Sequence, residues 1–401
     1  MMLSMTTQAI FVRRAFTPRE EISDAVIVVD GQKILAVGPR AKVAIPPGAT
    51  RREAPSLTIA PGFVDVHIHG AGGRDVMEGT PEALDTVSRT VARRGTTSLV
   101  ATTVTASEER TCRAVAGIAA WMRMRSEVGI PDGDTPQAEI LGVHFEGPFI
   151  SPARRGVHPL EWILPPSIEL FAKFRDAAQG AARILTLAPE LPGALDLVAA
   201  ACAVGCVVSL GHTDASYVQA MAAIDRGSRH ATHVFNAMRP FAHRDSGIIG
   251  AVLASPLVTA ELIADGVHVD EGAMRMLLAA KNPRHMILVS DGTSATGMPD
   301  GKYRLGTLEV TVAGGVSRGA DGQLAGSTLT LDRALSNMLT LGVPLTNALA
   351  MLTENPARLL GLETRKGVLA PGADADMVLL DAQMEVVGVM TRGAGWPESN
   401  N

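Results

Sequence analysis

Cysteine is scarce in this chain. Only three of the 401 residues are cysteines, at positions 112, 202 and 206, and none of them forms a CxxC pair. An odd number of cysteines without that spacing argues against a disulfide framework and against a zinc site built on thiolates. We therefore expect three free thiols, and any metal site must be built from histidine and carboxylate side chains.

Long hydrophobic runs and basic runs are also missing. The longest apolar run, "LVAAACAVGCVV", falls well short of the ~18 residues that a membrane span requires. The first 16 residues contain no basic stretch followed by a long apolar one, so no signal peptide is predicted. The net charge is −5, which makes nucleic acid an unexpected partner. These observations predict a cytoplasmic protein without a membrane or nucleic-acid partner.

Hydrophobic residues, in contrast, are abundant and regularly spaced. They make up 46% of the chain, enough for a sizeable core. From about residue 61, apolar strand-like runs alternate with helical segments, which is typical of βα units around a parallel sheet. Eight such repeats predict an α/β fold, a (β/α)8 TIM-type barrel. The eight runs are "GFVDVHIH", "TSLVATTV", "EILGVHFEG", "RILTLAPE", "CVVSLGH", "ATHVFN", "TAELIADGVH" and "HMILVSDG".

The two chain ends have a different texture. Residues 8–60 contain short β-branched runs, two of them joined across "DGQ", a hairpin-type turn. A helical stretch at about 327–361 is followed by another β-like segment. We therefore predict a small β-sandwich domain formed from residues 1–60 and 363–401, with the barrel occupying residues 61–362.

Polar residues cluster where the predicted barrel strands end. Side chains suited to metal binding or proton transfer follow six of the eight strands, namely His67, His69, Glu146, His212, His233, His268 and Asp291. Barrel enzymes carry their active sites at this face, because the carboxyl ends of all strands converge there. A single histidine at a strand end is ordinarily structural, but seven such groups at one face favour an active site.

Imidazole nitrogens and a carboxylate, without cysteine, suit a divalent metal ion. We expect zinc, with iron as an alternative, and one or two ions. A bound ion lowers the pKa of water to ~7, and an aspartate that is not a tight ligand can move the proton. The Asp291-Gly292 pair is also typical of a turn, so a structural role for Asp291 is the alternative.

Further candidates lie in the loops. His158 follows Glu146 in a glycine-containing loop and is suited to polarise a carbonyl, or is simply an exposed loop residue. Arg239, His243 and Arg244 form a positive cluster in an acidic protein, which indicates either an anion pocket or a solvated loop. His230 precedes its predicted strand and is interpreted as structural.

Several motifs together resemble a known family. These pieces cover roughly residues 60–330 and resemble the N-acetylglucosamine-6-phosphate deacetylases of the amidohydrolase superfamily. The pieces "HFEGPF", "GHTDA" and "IADGVHVD" are far more specific than the HxH motif, which the whole superfamily shares. In order they read "PGFVDVHIHG", "HFEGPFI", "RRGVHP", "GHTDASY", "ATHVFNAM", "RDSGIIGAVL", "IADGVHVD" and "LVSDGTSATG".

The resemblance implies a role for each matching residue. Glu146, His212 and His233 would be the main metal ligands, and His67 and His69 would serve a second metal. Asp291 would be the catalytic acid–base, and His158 would approach the substrate carbonyl. The family's active unit is a homodimer, which implies that Arg244 reaches the neighbouring active site. The implied substrate contacts are Val157, Asn236, Ala237, Arg244, His268, Leu324, Ala325 and Gly326.

The implied reaction is hydrolysis of N-acetyl-D-glucosamine 6-phosphate to glucosamine 6-phosphate and acetate, in amino-sugar catabolism or cell-wall recycling. The partner is then a small amino-sugar phosphate. The galactosamine epimer and another N-acyl amide remain alternative substrates. Cyclic-amide hydrolases usually carry a carboxylated lysine on strand four, and "RILTLAPE" contains none. The non-enzymatic alternative is a binding module that is stabilised by a metal and does not turn over a substrate.

Overall fold

The computed structural model describes residues 7–17, 20–128 and 135–396. The outer ends of the predicted small domain, residues 1–6 and 397–401, lie outside the described residues. The prediction that the chain has no signal peptide concerned residues 1–16, and the first six of these also lie outside the described residues. Within the described ranges, none of the helices has the length and apolar character needed to cross a bilayer.

The strands occur in three groups along the chain. β1–β4 come first, β5–β14 are interspersed with helices, and β15–β19 lie near the end. Their bounds are β1 Gln8–Phe16, β2 Glu21–Asp30, β3 Lys33–Pro39, β4 Thr50–Pro61, β5 Phe63–Ile68, β6 Gly70–Ala71, β7 Arg74–Asp75, β8 Thr96–Thr103, β9 Glu139–Glu146, β10 Ala182–Leu187, β11 Val207–Leu210, β12 His230–Ala231, β13 Thr259–Leu262, β14 Met286–Leu288, β15 Gly301–Leu305, β16 Leu308–Ala313, β17 Val316–Arg318, β18 Met377–Leu380 and β19 Val386–Met390.

Helices separate the barrel strands and follow the last of them. Short 3-10 turns lie at Val76–Glu78, Pro152–Arg154, Leu160–Trp162 and Pro283–His285. The α-helices are α1 Pro81–Ala92, α2 Glu108–Val128, α3 Ile168–Ala177, α4 Ala194–Ala203, α5 Tyr217–Asp225, α6 Gly247–Ala254, α7 Glu271–Ala280, α8 Leu331–Thr340, α9 Leu345–Leu352 and α10 Glu354–Leu359.

Eight parallel strands form the predicted barrel. They are ordered β14-β13-β12-β11-β10-β9-β8-β5, and each pairs in parallel with its neighbour. Every residue of β5 and β8 is buried, as expected when helices cover one face and the barrel interior fills the other. Beyond β14 the ring closes through a parallel bridge between Ile68 and Gly292. The barrel prediction is confirmed.

A separate sheet unites the two chain ends. Its six strands run β19-β18-β4-β1-β2-β3, so that the C-terminal pair joins the N-terminal four through β4. The "DGQ" turn is the predicted hairpin, because Asp30 pairs with Lys33 and Gly31 adopts a left-handed φ of 55°. The β unit built from both ends is thereby confirmed, while its boundaries at residues 60 and 362 stay a prediction.

The structure differs from the sequence prediction in three places. The sixth strand, predicted over "ATHVFN", consists only of β12, so His230 lies in the strand instead of preceding it. The helical stretch 327–361 is three helices, α8 to α10. An unpredicted antiparallel sheet, β15-β16-β17, follows the last barrel strand. Its strands alternate mostly between half-buried and exposed residues, so they carry little hydrophobic signal.

A buried lysine ties the barrel to the small sheet. The Lys366 side chain is 0% exposed, and its Nζ lies 2.6 Å from Glu139, 2.8 Å from Asp374 and 2.6 Å from Asp376. Glu139 opens barrel strand β9, whereas the two aspartates precede β18 of the small sheet. Burial would raise the pKa of Glu139, but the neighbouring Lys366 and Arg365 more than offset this and hold it below its usual value.

We expect Lys366→Met to lower the free energy of unfolding by about 3–5 kcal/mol, because three carboxylates would lose their buried cation. Urea denaturation followed by circular dichroism measures the change. Lys302→Met is the matched control. Lys302 is exposed and pairs with Glu309 at the surface, where water screens the interaction, so this substitution should leave the free energy of unfolding almost unchanged. Equal effects of the two substitutions would contradict the structural role of Lys366.

Candidate active site

The polar strand-end residues do meet at the carboxyl face of the barrel. His67 is the penultimate residue of β5, and His69 directly follows that strand. β9 ends with Glu146, and His212 and His233 follow β11 and β12. All five are buried. His212 and His233 have positive φ values of 47° and 27°, a region that residues other than glycine seldom occupy. Their backbones are thus bent at the strand ends, where their rings turn toward Glu146.

The Glu146 carboxylate is the centre of the cluster. Around its Oε1 lie the Nε2 atoms of His67 at 3.4 Å, His212 at 3.1 Å and His233 at 3.0 Å. Its Oε2 lies 3.2 Å from His69 Nε2 and 3.5 Å from His158 Nε2. Five imidazoles therefore direct the same ring atom at one carboxylate.

The hydrogen-bond partner of Nδ1 in each ring determines whether Nε2, which faces Glu146, carries a proton or a lone pair. Nδ1 of His69 lies 3.0 Å from the carbonyl oxygen of Thr102, and Nδ1 of His212 lies 3.0 Å from that of Arg154. A carbonyl oxygen only accepts, so both Nδ1 atoms must donate. In the neutral rings the proton is therefore on Nδ1, and Nε2 presents a lone pair to the centre, as a metal ligand does.

His158 has the opposite arrangement. The backbone N–H of Thr105 donates to its Nδ1 at 3.3 Å, so Nδ1 accepts. In the neutral ring the proton is then on Nε2, which faces the cluster as a hydrogen-bond donor. His158 is thus suited to hold a carbonyl oxygen, whereas His69 and His212 are suited to hold a cation. Its side chain is buried and is not the exposed loop residue that the sequence left open.

The donor set fits a divalent cation. Burial lowers the pKa of His212 to about 4, so its ring is neutral at pH 7. Its Nε2 lone pair then faces the Glu146 oxygen and lies 3.2 Å from Nε2 of His233. His67 Nε2 is buried and has no hydrogen-bond partner within the described ranges. Electron-rich nitrogen and oxygen atoms gathered around one buried carboxylate are stabilised by a positive ion.

The pKa of His69 supports the same view. Burial lowers it, but hydrogen bonds with the Asp291 and Glu146 carboxylates outweigh burial and raise the pKa to about 9. Two carboxylates at this centre thus demand positive charge, which a proton on His69 or a metal ion can supply. The candidate ligands fall into overlapping groups of three, namely His67 with Glu146 and His233, His67 with His69 and Asp291, and Glu146 with His158 and His212.

Asp291 stands beside the cluster and above the barrel seam. Its Oδ1 lies 3.2 Å from His69 Nε2 and 3.5 Å from His67 Nε2. Its backbone N–H donates a hydrogen bond of 2.9 Å to the carbonyl oxygen of His67. This hydrogen bond is one of those that close the barrel. Gly326 packs against Asp291 with a φ of 52°, and a Cβ there would come within 2.9 Å of the Asp291 carbonyl oxygen. Asp291 is therefore part of the centre as well as a turn residue.

A cavity of about 410 Å³ opens above the cluster. It is lined by many of the sequence candidates, namely His69, Glu146, Val157, His158, His212, His233, Asn236, Ala237, His268, Asp291, Leu324 and Gly326. His67 and Ala325 are fully buried and do not line it. Arg244 does not line it either: it is exposed, in the loop between Ala242 and Asp245. The sequence missed Arg154, which lines the cavity and pairs with Asp214 at 2.8 Å.

The fold and the site agree with the family comparison. A model of the amidohydrolase family matches residues 58–394. The chain belongs to the amidohydrolase family. This amidohydrolase is 38% identical over 336 residues to the N-acetylglucosamine-6-phosphate deacetylase of Bacillus subtilis, with 84% of this chain and 83% of the relative covered.

Two further relatives cover almost the whole amidohydrolase. The N-acetylgalactosamine-6-phosphate deacetylase of Escherichia coli O157:H7 is 36% identical, over 96% of this chain and 98% of its own. Among solved structures, a mutant N-acetyl-D-glucosamine-6-phosphate deacetylase from Mycobacterium smegmatis, in complex with N-acetyl-D-glucosamine-6-phosphate, has a TM-score of 0.89 and 35% identity. It covers 98% of this chain and 100% of its own.

One buried residue of the amidohydrolase centre escaped the sequence analysis. Glu261, in β13, is 0% exposed and accepts hydrogen bonds from Nδ1 of His67 at 2.9 Å and from the backbone N–H of His233 at 3.0 Å. His230 binds its other oxygen at 2.8 Å. Glu261 thus fixes which nitrogen of His67 faces the centre. The available signal was a lone glutamate within an apolar strand, which is rarely buried without partners.

Proposed function

We propose that this amidohydrolase hydrolyses the acetamide of N-acetyl-D-glucosamine 6-phosphate, releasing acetate and glucosamine 6-phosphate. The observation that supports this proposal most strongly is that the imidazole rings around Glu146 differ in their hydrogen-bonding roles. Imidazoles with lone pairs directed inward stand beside one imidazole that donates, with Asp291 adjacent, at the floor of a small-molecule cavity. The substrate is suggested by relatives that carry this name over more than four fifths of the chain.

The metal that fits this donor set best is zinc, with iron as the alternative. Glu146, His212 and His233 would hold one ion, and His67, His69 and Glu146 would hold a second. When bound, such an ion polarises water and stabilises negative charge on the substrate. The absence of thiolates and the predominance of imidazole favour zinc over magnesium or calcium.

Asp291 carries the proton in this reaction. The attacking water must lose a proton to become a nucleophile, and a carboxylate whose pKa is held low is ionised and ready to accept it. Burial raises the pKa of Asp291, but the hydrogen bond with His69 and the electrostatic attraction of the His67 and His69 rings together outweigh burial and bring the pKa below its usual value. After attack, Asp291 returns the proton to the amide nitrogen, because an amine leaves far more readily than an amide anion.

His158 holds the carbonyl oxygen. As water attacks, negative charge develops on that oxygen, and an Nε2–H already directed at the centre stabilises it without reorganisation. The ring is fixed from behind by Thr105, whose hydroxyl lies 2.8 Å from Nδ1. Asn236 and His268 line the upper cavity and would contact the sugar phosphate, with His268 oriented by Asp265 at 2.7 Å. The other sugar contacts would be Val157, Ala237, Leu324 and Gly326, all of which line the cavity.

The phosphate anchor would come from a second subunit. The arginine that lines the cavity, Arg154, is already paired with Asp214. Arg244 is exposed and has no hydrogen bond or ion pair with any described residue, so its guanidinium is available to another chain. We therefore propose a homodimer in which Arg244 binds the substrate phosphate of the neighbouring active site. Because a sugar phosphate is doubly charged and crosses bilayers poorly, we also propose a cytoplasmic location.

Arg244→Ala is expected to raise the KM for the phosphorylated substrate by about 10–100-fold, since a charge-assisted contact to phosphate is lost. Bound metal should not change, because Arg244 lies outside the cluster. Steady-state kinetics and metal analysis measure the two effects. Arg226→Ala, an exposed arginine after α5, is the matched control and should leave KM unchanged.

Mixed dimers test whether Arg244 acts across subunits. Arg244→Ala chains carry an intact Asp291, and Asp291→Asn chains carry an intact Arg244. If Arg244 reaches the neighbouring site, mixing the two variants creates one fully intact site in each mixed dimer, and activity at low substrate concentration rises above that of either variant. If Arg244 acted within its own chain, mixing would restore nothing.

Acetate release from three compounds tests the function itself. We expect turnover of N-acetylglucosamine 6-phosphate, with the 6-phosphate of N-acetylgalactosamine as the second candidate because a relative with that name covers 96% of the chain. Unphosphorylated N-acetylglucosamine should react far more slowly. Equal rates with and without the phosphate would contradict the anchor, and bound metal without turnover of any of the three would favour a binding module.

A further inference from the structure

A second cleft lies at the opposite end of the barrel from the metal cluster. Its volume is about 610 Å³, within the range of ordinary small-molecule sites. Barrel strand β9 begins there with Glu139, and strand β10 begins beside Arg183, whereas the carboxyl ends of both strands point toward the catalytic cavity. The other walls are helix α2, the turn between β2 and β3, and the segment around Asp374 and Arg392. The barrel and the small sheet therefore both contribute to it.

The cleft is strongly positive, although the chain as a whole carries a charge of −5. Among the residues that the structure describes, two carboxylates line it, Glu139 and Asp374. Both already have cations: Arg365 and Lys366 bind Glu139, and Lys33, Arg365 and Lys366 bind Asp374. The basic side chains in its lining are Lys33, Arg123, Arg125, Arg183, Arg365 and Arg392.

Three of these arginines have no carboxylate partner in the described part of the chain. Arg123 binds only the side-chain oxygen of Gln179, at 2.6 Å. Arg183 donates its Nε to the carbonyl of Leu141 at 3.0 Å, and its two terminal nitrogens bind no described residue. The Arg392 side chain makes no hydrogen bond with any residue that the structure describes, and its Nε is a buried atom without a partner there.

Unpaired guanidinium groups around one cleft are suited to a particular ligand class. Burying a donor without a partner is unfavourable, so a ligand that accepts hydrogen bonds is stabilising. A guanidinium presents a planar fork that matches the oxygens of phosphate, and three of them exceed what a single carboxylate needs. We propose that this cleft is a binding site for a small phosphate-bearing metabolite, separate from the catalytic cavity.

Titration calorimetry of the intact metal-loaded enzyme with inorganic phosphate tests the proposal, with glucose 6-phosphate as a second probe that lacks the acetamide. The test variant is Arg183→Gln with Arg392→Gln. We expect phosphate to bind the parent enzyme and to bind this variant at least about tenfold more weakly, while kcat and KM for deacetylation stay unchanged. Tighter binding of glucose 6-phosphate than of phosphate would identify a phosphorylated sugar, and the reverse would identify the free ion.

A second variant tests the same cleft in case the first variant does not fold. Arg123 is exposed, so Arg123→Glu places a negative charge at the cleft without disturbing the core; it should weaken phosphate binding by a similar factor. Arg275→Gln, on the outer face of α7, is the control and should bind phosphate like the parent. The proposal is wrong if phosphate does not bind, or if Arg123→Glu binds it as tightly as the control, since the ion would then occupy only the catalytic cavity. Neither result depends on the proposed deacetylase activity.

Discussion

Asp291→Asn should lose nearly all turnover, about a thousandfold or more, and keep its metal. Asparagine has almost the same shape as aspartate and preserves the backbone hydrogen bond to His67, but its amide cannot accept a proton from water or return one to the leaving amine. General acid–base groups typically contribute factors of about 10²–10⁴. Acetate release at saturating substrate measures kcat, and elemental analysis measures bound metal.

Asp300→Asn is the matched control for this substitution. Asp300 is exposed before β15, and among the described residues its carboxylate accepts hydrogen bonds from the backbone N–H groups of Gly314 and Gly315 alone. Its replacement should leave kcat unchanged. A kcat for Asp291→Asn within tenfold of the parent value would refute the proton-transfer role. A large loss of metal would mean that Asp291 acts chiefly as a ligand.

The double substitution His67→Asn with His69→Asn should remove about one metal ion per chain and lower kcat by at least about a hundredfold. Both rings face Glu146 from the β5 side, His67 toward Oε1 and His69 toward Oε2. Without them, the proposed ligands Glu146, His212 and His233 would still be able to hold one ion. Even changes to residues that merely orient a ligand typically cost 10–100-fold, so loss of two ligands should cost no less.

Metal stoichiometry and kcat are measured on the same preparation. The control replaces His285, a histidine outside the cavity, with asparagine and should retain both values. If the His67 and His69 double variant matches this control in metal content and rate, the histidine pair has no part in catalysis. Retention of two ions with a lowered rate would instead contradict their role as ligands.

Much of the fold could be predicted because the barrel strands are continuous apolar runs of regular spacing. β5 and β8 are buried along their whole length, and such runs stand out in the sequence. The sixth strand could not be bounded, because His233, Phe235 and Ala237 adopt positive φ values that side-chain periodicity does not encode. The sheet of β15–β17 was missed because few of its residues are buried.

The candidate site could be predicted by residue type but not by role. Histidines at strand ends indicate a metal cluster, yet the sequence cannot distinguish a ring whose Nδ1 donates, such as His69, from a ring whose Nδ1 accepts, such as His158. That distinction depends on the Thr102 carbonyl and the Thr105 amide, which belong to a different strand and the loop after it. Glu261 was missed for the same reason: its importance lies in contacts to His67 and His233, far away in sequence.

The central claim is that the Glu146 cluster is a metal centre that deacetylates an amino-sugar phosphate. Its most direct test is acetate release from N-acetylglucosamine 6-phosphate by the parent enzyme, by the chelated enzyme, and by the chelated enzyme after zinc or iron is added back. We expect release by the parent, almost none after chelation, and recovery with the added ion in proportion to the metal bound. Undiminished release by an enzyme shown to be free of metal would contradict the account.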